Sequence, residues 1–158
     1  MNDFPSMDND FLAPHVKLLT DSYEHFTGQK LIDANSAAPA PPPARAIFEA
    51  DFVVLSSGTE SDPLFNYANR CALELFELDW QGFIELPARE SAEPVHQDTR
   101  AELMQRVIDH GYISDYSGTR VSASGKRFII QQATVWNVID AGGTLHGQAA
   151  TFSTWTDI

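Results

Sequence analysis

Gly111 to Trp155 reads GYISDYSGTR VSASGKRFII QQATVWNVID AGGTLHGQAA TFSTW, and this stretch decides the fold. Tyr112 to Tyr116 leads into Thr119 to Ala123 as one strand signal. Ser124-Gly125 is a tight hairpin turn. Lys126 to Ile139 is a long strand. Asp140 to Thr144, holding Gly142-Gly143, turns the chain again, and Leu145 to Trp155 is the last strand. Strands joined by short turns pair antiparallel, so the stretch is a three-strand meander. Period-two alternation puts Phe128, Ile130, Gln132, Thr134 and Trp136 on one face of the long strand. It puts Gln148, Ala150 and Phe152 on one face of the last. Both faces are expected to look toward helices. Gln132, Thr134 and Gln148 are then polar groups aimed inward that need partners from each other, water or a ligand.

Upstream, Ala50 to Ser56 (ADFVVLS) is an apolar, β-branched strand, and Leu64 to Tyr67 is a second short strand after Asp62-Pro63. Asn69 is placed to cap the next helix, whose apolar face is Ala72, Leu73, Leu75 and Phe76. Trp80, Phe83, Ile84 and Leu86 form a short helical or irregular piece ended by Pro87. Val95 to His110 is a longer helix. Its buried stripe is expected to be Ala101, Met104, Val107 and Ile108, with Asp98, Glu102 and Asp109 toward water, and Gly111 ends it. Two strands, helices, then three strands predict an α+β domain. It has one five-stranded antiparallel sheet with helices on one face, and its first and last strands lie side by side.

Three segments are expected: 1–10 disordered, 11–46 an N-terminal helix and linker, and 47–158 the folded domain. In the second, Leu12, Val16, Leu19, Tyr23 and Phe26 recur at helical spacing, with Pro14 in the first turn and Gly28 as a stop. Ala37 to Ala46 holds Pro39, Pro41, Pro42 and Pro43, which predicts an extended connector rather than helix. The helical stripe has two destinations, its own sheet or a partner chain. The second is favoured, so these five residues are the candidate dimer seam of a homodimer.

The chain has 158 residues, 22 acidic and 10 basic, with a formal net charge of -12 at pH 7. Such a surface repels phosphate backbones and anionic membranes, so nucleic acid and membrane are not expected partners. Cys71 is the single cysteine, which excludes an intrachain disulfide and multi-cysteine zinc sites. Residues 1–10 lack the basic start of a secretory signal and no apolar run is long enough to span a bilayer, so a cytoplasmic location is expected.

Several blocks now line up in order. Ser61-Asp62-Pro63-Leu64-Phe65-Asn66-Tyr67-Ala68-Asn69-Arg70 precedes Ala72-Leu73-Glu74-Leu75-Phe76-Glu77. Leu86-Pro87-Ala88-Arg89, Gly111-Tyr112-Ile113, Ser124-Gly125-Lys126-Arg127-Phe128, Ala133-Thr134-Val135-Trp136-Asn137 and Gly147-Gln148-Ala149-Ala150-Thr151-Phe152-Ser153 follow. The series resembles the MEKHLA domain, a PAS-like domain found at the C-terminus of a class of plant homeodomain–leucine-zipper proteins and as free-standing bacterial proteins. The resemblance implies a PAS-like fold and a sensory or dimer-controlling role, with no catalytic residues to transfer and no cofactor named. A signal is then expected to leave by contact with another protein.

The candidate ligand pocket lies between sheet and helices. Its walls are Val54, Leu73, Phe76, Met104, Ile108, Phe128, Ile130 and Phe152, with Gln132, Thr134, Trp136 and Gln148 on the inward strand faces. A closed core would use the same residues, so a pure homodimerisation or interaction module is the alternative. A small isomerase-like enzyme pairing Asp115 with Tyr112 or Tyr116 is a third reading, disfavoured by strand order. Cys71 invites comparison with the flavin-reactive cysteine of photosensory PAS domains. It stands here as Asn69-Arg70-Cys71-Ala72 after the second strand, where a small buried hydrophobe is the better reading. His15, His25, His96, His110 and His146 show no metal-ligand spacing.

Overall fold

The computed structural model describes residues 4–32 and 43–158. After a 3-10 turn at Met7–Leu12, the elements are α1 (Ala13–Thr27), α2 (Pro43–Phe48), β1 (Val53–Ser57), β2 (Phe65–Ala68), α3 (Arg70–Phe76), α4 (Trp80–Ile84), α5 (Pro94–His110), β3 (Tyr112–Val121), β4 (Arg127–Ile139), β5 (Leu145–Phe152) and β6 (Thr154–Asp157). The strands form one antiparallel sheet in the order β2-β1-β5-β4-β3, and β6 continues β5 along β4. Val53 pairs with Phe152 and Leu55 with Ala150, so the first and last long strands are neighbours as expected.

Helices cover both faces of this sheet. The inner face carries α3 and α5: Phe76 of α3 meets Phe128 edge-on at 5.3 Å, and α5 packs on β3 and β4. The outer face carries α1. Cover on both sides explains why every residue of β1 is buried and why Val53, Val54 and Leu55 run on without polar alternation.

Asn69 fastens β1, α2 and α3 together. Its Oδ1 accepts from the N–H of Val54 and of Ala72, both at 3.1 Å, and its Nδ2 donates to the carbonyls of Ile47 at 3.0 Å and Phe52 at 2.7 Å. It caps α3, as its position predicts, and it also closes the loop that brings α2 against β1.

The alternation expected for the long strand breaks in its middle. Gln132 has a left-handed φ of 53°, which inserts a half-step. Phe128 and Ile130 face the helices before it; Val135 and Asn137 face them after it. Asp115, with φ 57°, does the same to β3, so Tyr112 looks outward and Tyr116 inward. The last strand breaks at Ser153, opposite the same point, and splits into β5 and β6. One fault line therefore crosses three strands. It corrects the expectation that Gln132, Thr134 and Trp136 share a face with Phe128 and Ile130: Gln132 is exposed at the kink, and Thr134 and Trp136 look outward.

Three further expectations change. The buried stripe of α5 is Leu103 and Val107; Ala101 and Ile108 are exposed and Met104 is half-buried. Pro43 begins α2 instead of excluding helix, because proline at a first helical position forfeits no needed hydrogen bond. Pro39, Pro41 and Pro42 lie outside the described residues. Within the segment expected to be disordered, residues 7–10 belong to the 3-10 turn, whose Ser6 cap accepts from Asp8 N–H; Phe11 of the same turn packs on Phe48.

Candidate functional site

A cavity of about 40 Å³ lies between the inner sheet face and α5. Apolar side chains make most of its wall. Of the residues expected there, Phe76, Met104, Ile130 and Phe152 line it, joined by Leu55, Phe65, Val135 and Ala150. Four polar residues also reach it: Ser91, Arg100, Tyr116 and Arg120.

The remaining expected pocket residues are placed elsewhere. Leu73 and Phe128 belong to the closed core. Val54 pairs with Thr151 on the outer face, and Ile108 is 43% exposed. Gln132 and Thr134 line an open outer groove of about 230 Å³ beside Tyr23 and Phe52. Gln148 does face the helices, where its amide donates to the Met104 carbonyl at 3.0 Å. Asn137, brought inward by the kink, donates to the Val107 carbonyl at 3.0 Å. Together these two amides dock the C-terminal half of α5 onto the sheet.

Arg120 is 6% exposed. Its guanidinium donates to the Thr119 carbonyl at 2.8 Å and to the Tyr116 hydroxyl at 3.3 Å, and it lies over the Tyr116 ring. Arg100 enters from α5. Its Nε is buried with no hydrogen-bond partner among the described residues. Burial, and then repulsion from Arg120, pushes the Arg100 pKa down to about 10. Neither arginine is paired with a carboxylate among the described residues, although the chain holds 22 acids. Sequence reasoning missed both. Arg100 stands one residue from the expected α5 stripe, and Arg120 stands on a strand whose alternation Asp115 resets.

The outer face binds α1. Val16 is 1% and Leu19 0% exposed, under the sheet of their own chain. Trp136 Nε1 donates to Ser22 Oγ at 3.2 Å, Tyr23 meets the Trp136 ring at 4.9 Å, and Phe26 stacks on Tyr112. At the other end, His15 Nε2 is 2.9 Å from Ser56 Oγ, and its ring lies 5.8 Å from that of Tyr67. Burial, then His146, holds the His15 pKa down at about 4. The candidate seam of Leu12, Val16, Leu19, Tyr23 and Phe26 is thus engaged within the chain. A homodimer built on it requires α1 to leave its sheet.

Other candidate chemistry is not assembled. Cys71 is half-buried in the first turn of α3, and burial, Glu74 and Asp51 push its thiol pKa up, away from the thiolate. Asp115 is exposed, and Tyr112 and Tyr116 lie on opposite faces, so no acid–tyrosine pair forms in the cavity. No group of three metal-ligating side chains occurs among the described residues. No helix among them is long and apolar enough to cross a membrane.

Comparison with known proteins agrees with this geometry. The MEKHLA domain matches residues 13–157. The homeobox-leucine zipper protein ATHB-9 of Arabidopsis thaliana is 24% identical over 144 residues, covering 89% of this chain, and the match spans 17% of that protein's length. The PAS domain of a Colwellia psychrerythraea protein superposes with a TM-score of 0.60 at 13% identity, covering 73% of this chain and 92% of that one. A light-oxygen-voltage domain from work on its mechanism with a flavin analogue superposes with a TM-score of 0.57 at 14% identity, covering 73% of this chain and 83% of that one. These likenesses establish the fold. The chain belongs to the MEKHLA domain family, built on a PAS-like α+β sheet.

Proposed function

We propose that this chain is a non-catalytic sensory module that takes a small ligand in the inner cavity and relays its presence to α1 on the outer face. The observation that carries the reading is the cavity itself, where apolar walls meet a few convergent polar groups, as small-ligand sites do. β4 supplies the relay. Ile130 and Val135 line the cavity, while Thr134 and Trp136 of the same strand face the α1 side. A ligand that shifts β4 therefore changes the seat of α1. The signal requires only that the ligand bind the two arrangements with different affinity.

Native mass spectrometry of the protein as purified tests the ligand. Hydrogen exchange at α1 tests the relay. A bound small molecule, with altered protection of residues 13–27 on its removal, supports the proposal. A bare protein that no small molecule stabilises argues against it.

The size of the cavity favours one rival. About 40 Å³ is room for roughly three water-sized bodies, far below the few hundred Å³ of a drug-sized site. An interaction module with a closed core fits that volume, and it predicts a partner protein without any ligand. The two readings part on the same mass spectrum.

A further inference from the structure

We propose that the cavity is an anion site for a small carboxylate, held between Arg100 and Arg120; this rests on the ligand-sensing reading above. Both side chains reach the cavity, and neither has a carboxylate partner among the described residues. Burying one cation without a counter-ion is costly, and bringing a second beside it is costlier. Arg120 uses few of its five N–H donors on the protein: one bonds Thr119 and one bonds Tyr116. The planar guanidinium fork matches a carboxylate, to which it can donate two parallel hydrogen bonds.

The surroundings are shaped for these groups. Gly118 lies mid-strand, and a Cβ there would collide with the Tyr116 hydroxyl and stand 3.1 Å from an Arg120 nitrogen. Glycine at this position leaves the room that both use. The rest of the lining is mostly apolar, with Ile130, Val135 and Phe152 among it. Two cationic groups in a mostly hydrocarbon lining and a volume of about 40 Å³ select a short-chain carboxylate over a nucleotide or a flavin. The net charge of -12 repels anions at long range, so affinity has to come from this local pair.

Amide chemical shifts of the full chain, titrated with acetate, propionate and butyrate, test the assignment. Propionamide serves as the uncharged control and sodium chloride as the ionic-strength control. Propionate is expected to shift residues 116–120 and the middle of α5 in a saturable way, and neither control is. R120Q is expected to weaken propionate by at least about tenfold, the loss of one charge-assisted hydrogen bond. R100M, which removes a charge without opening the core, is expected to lose binding while keeping a native spectrum elsewhere. A smaller loss in R120Q, unchanged binding in R100M, equal shifts from propionamide or chloride, or no carboxylate shift at the cavity each overturns the proposal. If propionamide fills the cavity as well as propionate does, the sensory reading stands and the anion assignment alone falls.

Discussion

Replacing Asn69 by alanine is expected to be among the most damaging single changes outside the aromatic core. The side chain is 0% exposed and makes four hydrogen bonds, all to backbone groups of the surrounding elements. Losing the cap of α3 costs about 1 kcal/mol. The Val54 N–H and the carbonyls of Ile47 and Phe52 also lose partners, at about 1 kcal/mol or more each. The total is about 4 kcal/mol, a large share of the 5–15 kcal/mol typical of a whole domain. Urea unfolding followed by tryptophan fluorescence and circular dichroism measures it. Serine keeps only the capping function and is expected to fall between alanine and the parent. Aspartate keeps the oxygen that accepts from the Val54 and Ala72 N–H groups but presents its second carboxylate oxygen to two carbonyl oxygens. Its folded pKa is expected to be raised, so N69D is least stable at neutral pH and recovers as pH falls through that value. An N69A cost below about 1 kcal/mol, or N69S equal to the parent, would refute the four-bond account.

R100M is expected to raise the melting temperature, with a gain of about 1 kcal/mol, because a half-buried cation whose Nε is buried without a partner is replaced by hydrocarbon of similar length; scanning calorimetry that finds a loss instead would mark Arg100 as structural. His15 is neutral in the folded state because its pKa is held at about 4, below the ordinary 6.5. The unfolded chain binds the extra proton between those values, so stability is expected to fall as pH drops from 6.5 to 4, relative to H15Q, by at most about 1.4 kcal/mol per pH unit. Parallel profiles for the two proteins across that window would refute it. Q132G is expected to be neutral or to stabilise by up to about 1 kcal/mol, since glycine takes the left-handed conformation without strain. Measurable destabilisation by Q132G would mean the strand is regular there and the faces do not switch.

The sheet and its order were legible because turns and alternation are local signals. Ser124-Gly125 and Asp140 to Thr144 turn where the residues say they should, and Gly125 and Gly143 take positive φ. The cap at Asn69 was legible too, although its bonds to Ile47 and Phe52 span 22 and 17 residues and leave no local trace. The site was read less well. Non-glycine residues in the left-handed region carry little sequence signal, and two of them, Gln132 and Asp115, reset which side chains look inward. Every pocket residue assigned past Gln132 on β4 was therefore assigned to the wrong face. The destination of the α1 stripe also lay beyond periodicity, since an apolar stripe fits its own sheet or a partner equally. The contact that ties α1 to its own sheet joins a pair 114 residues apart, Trp136 and Ser22.

A high-resolution crystal structure of the protein as purified, inspected between Arg100 and Arg120, tests the central claim most directly. The account predicts compact density bridging the two guanidinium groups beside Tyr116. Guanidinium groups turned to solvent, with Met104 and Phe152 closed over the space, would contradict it.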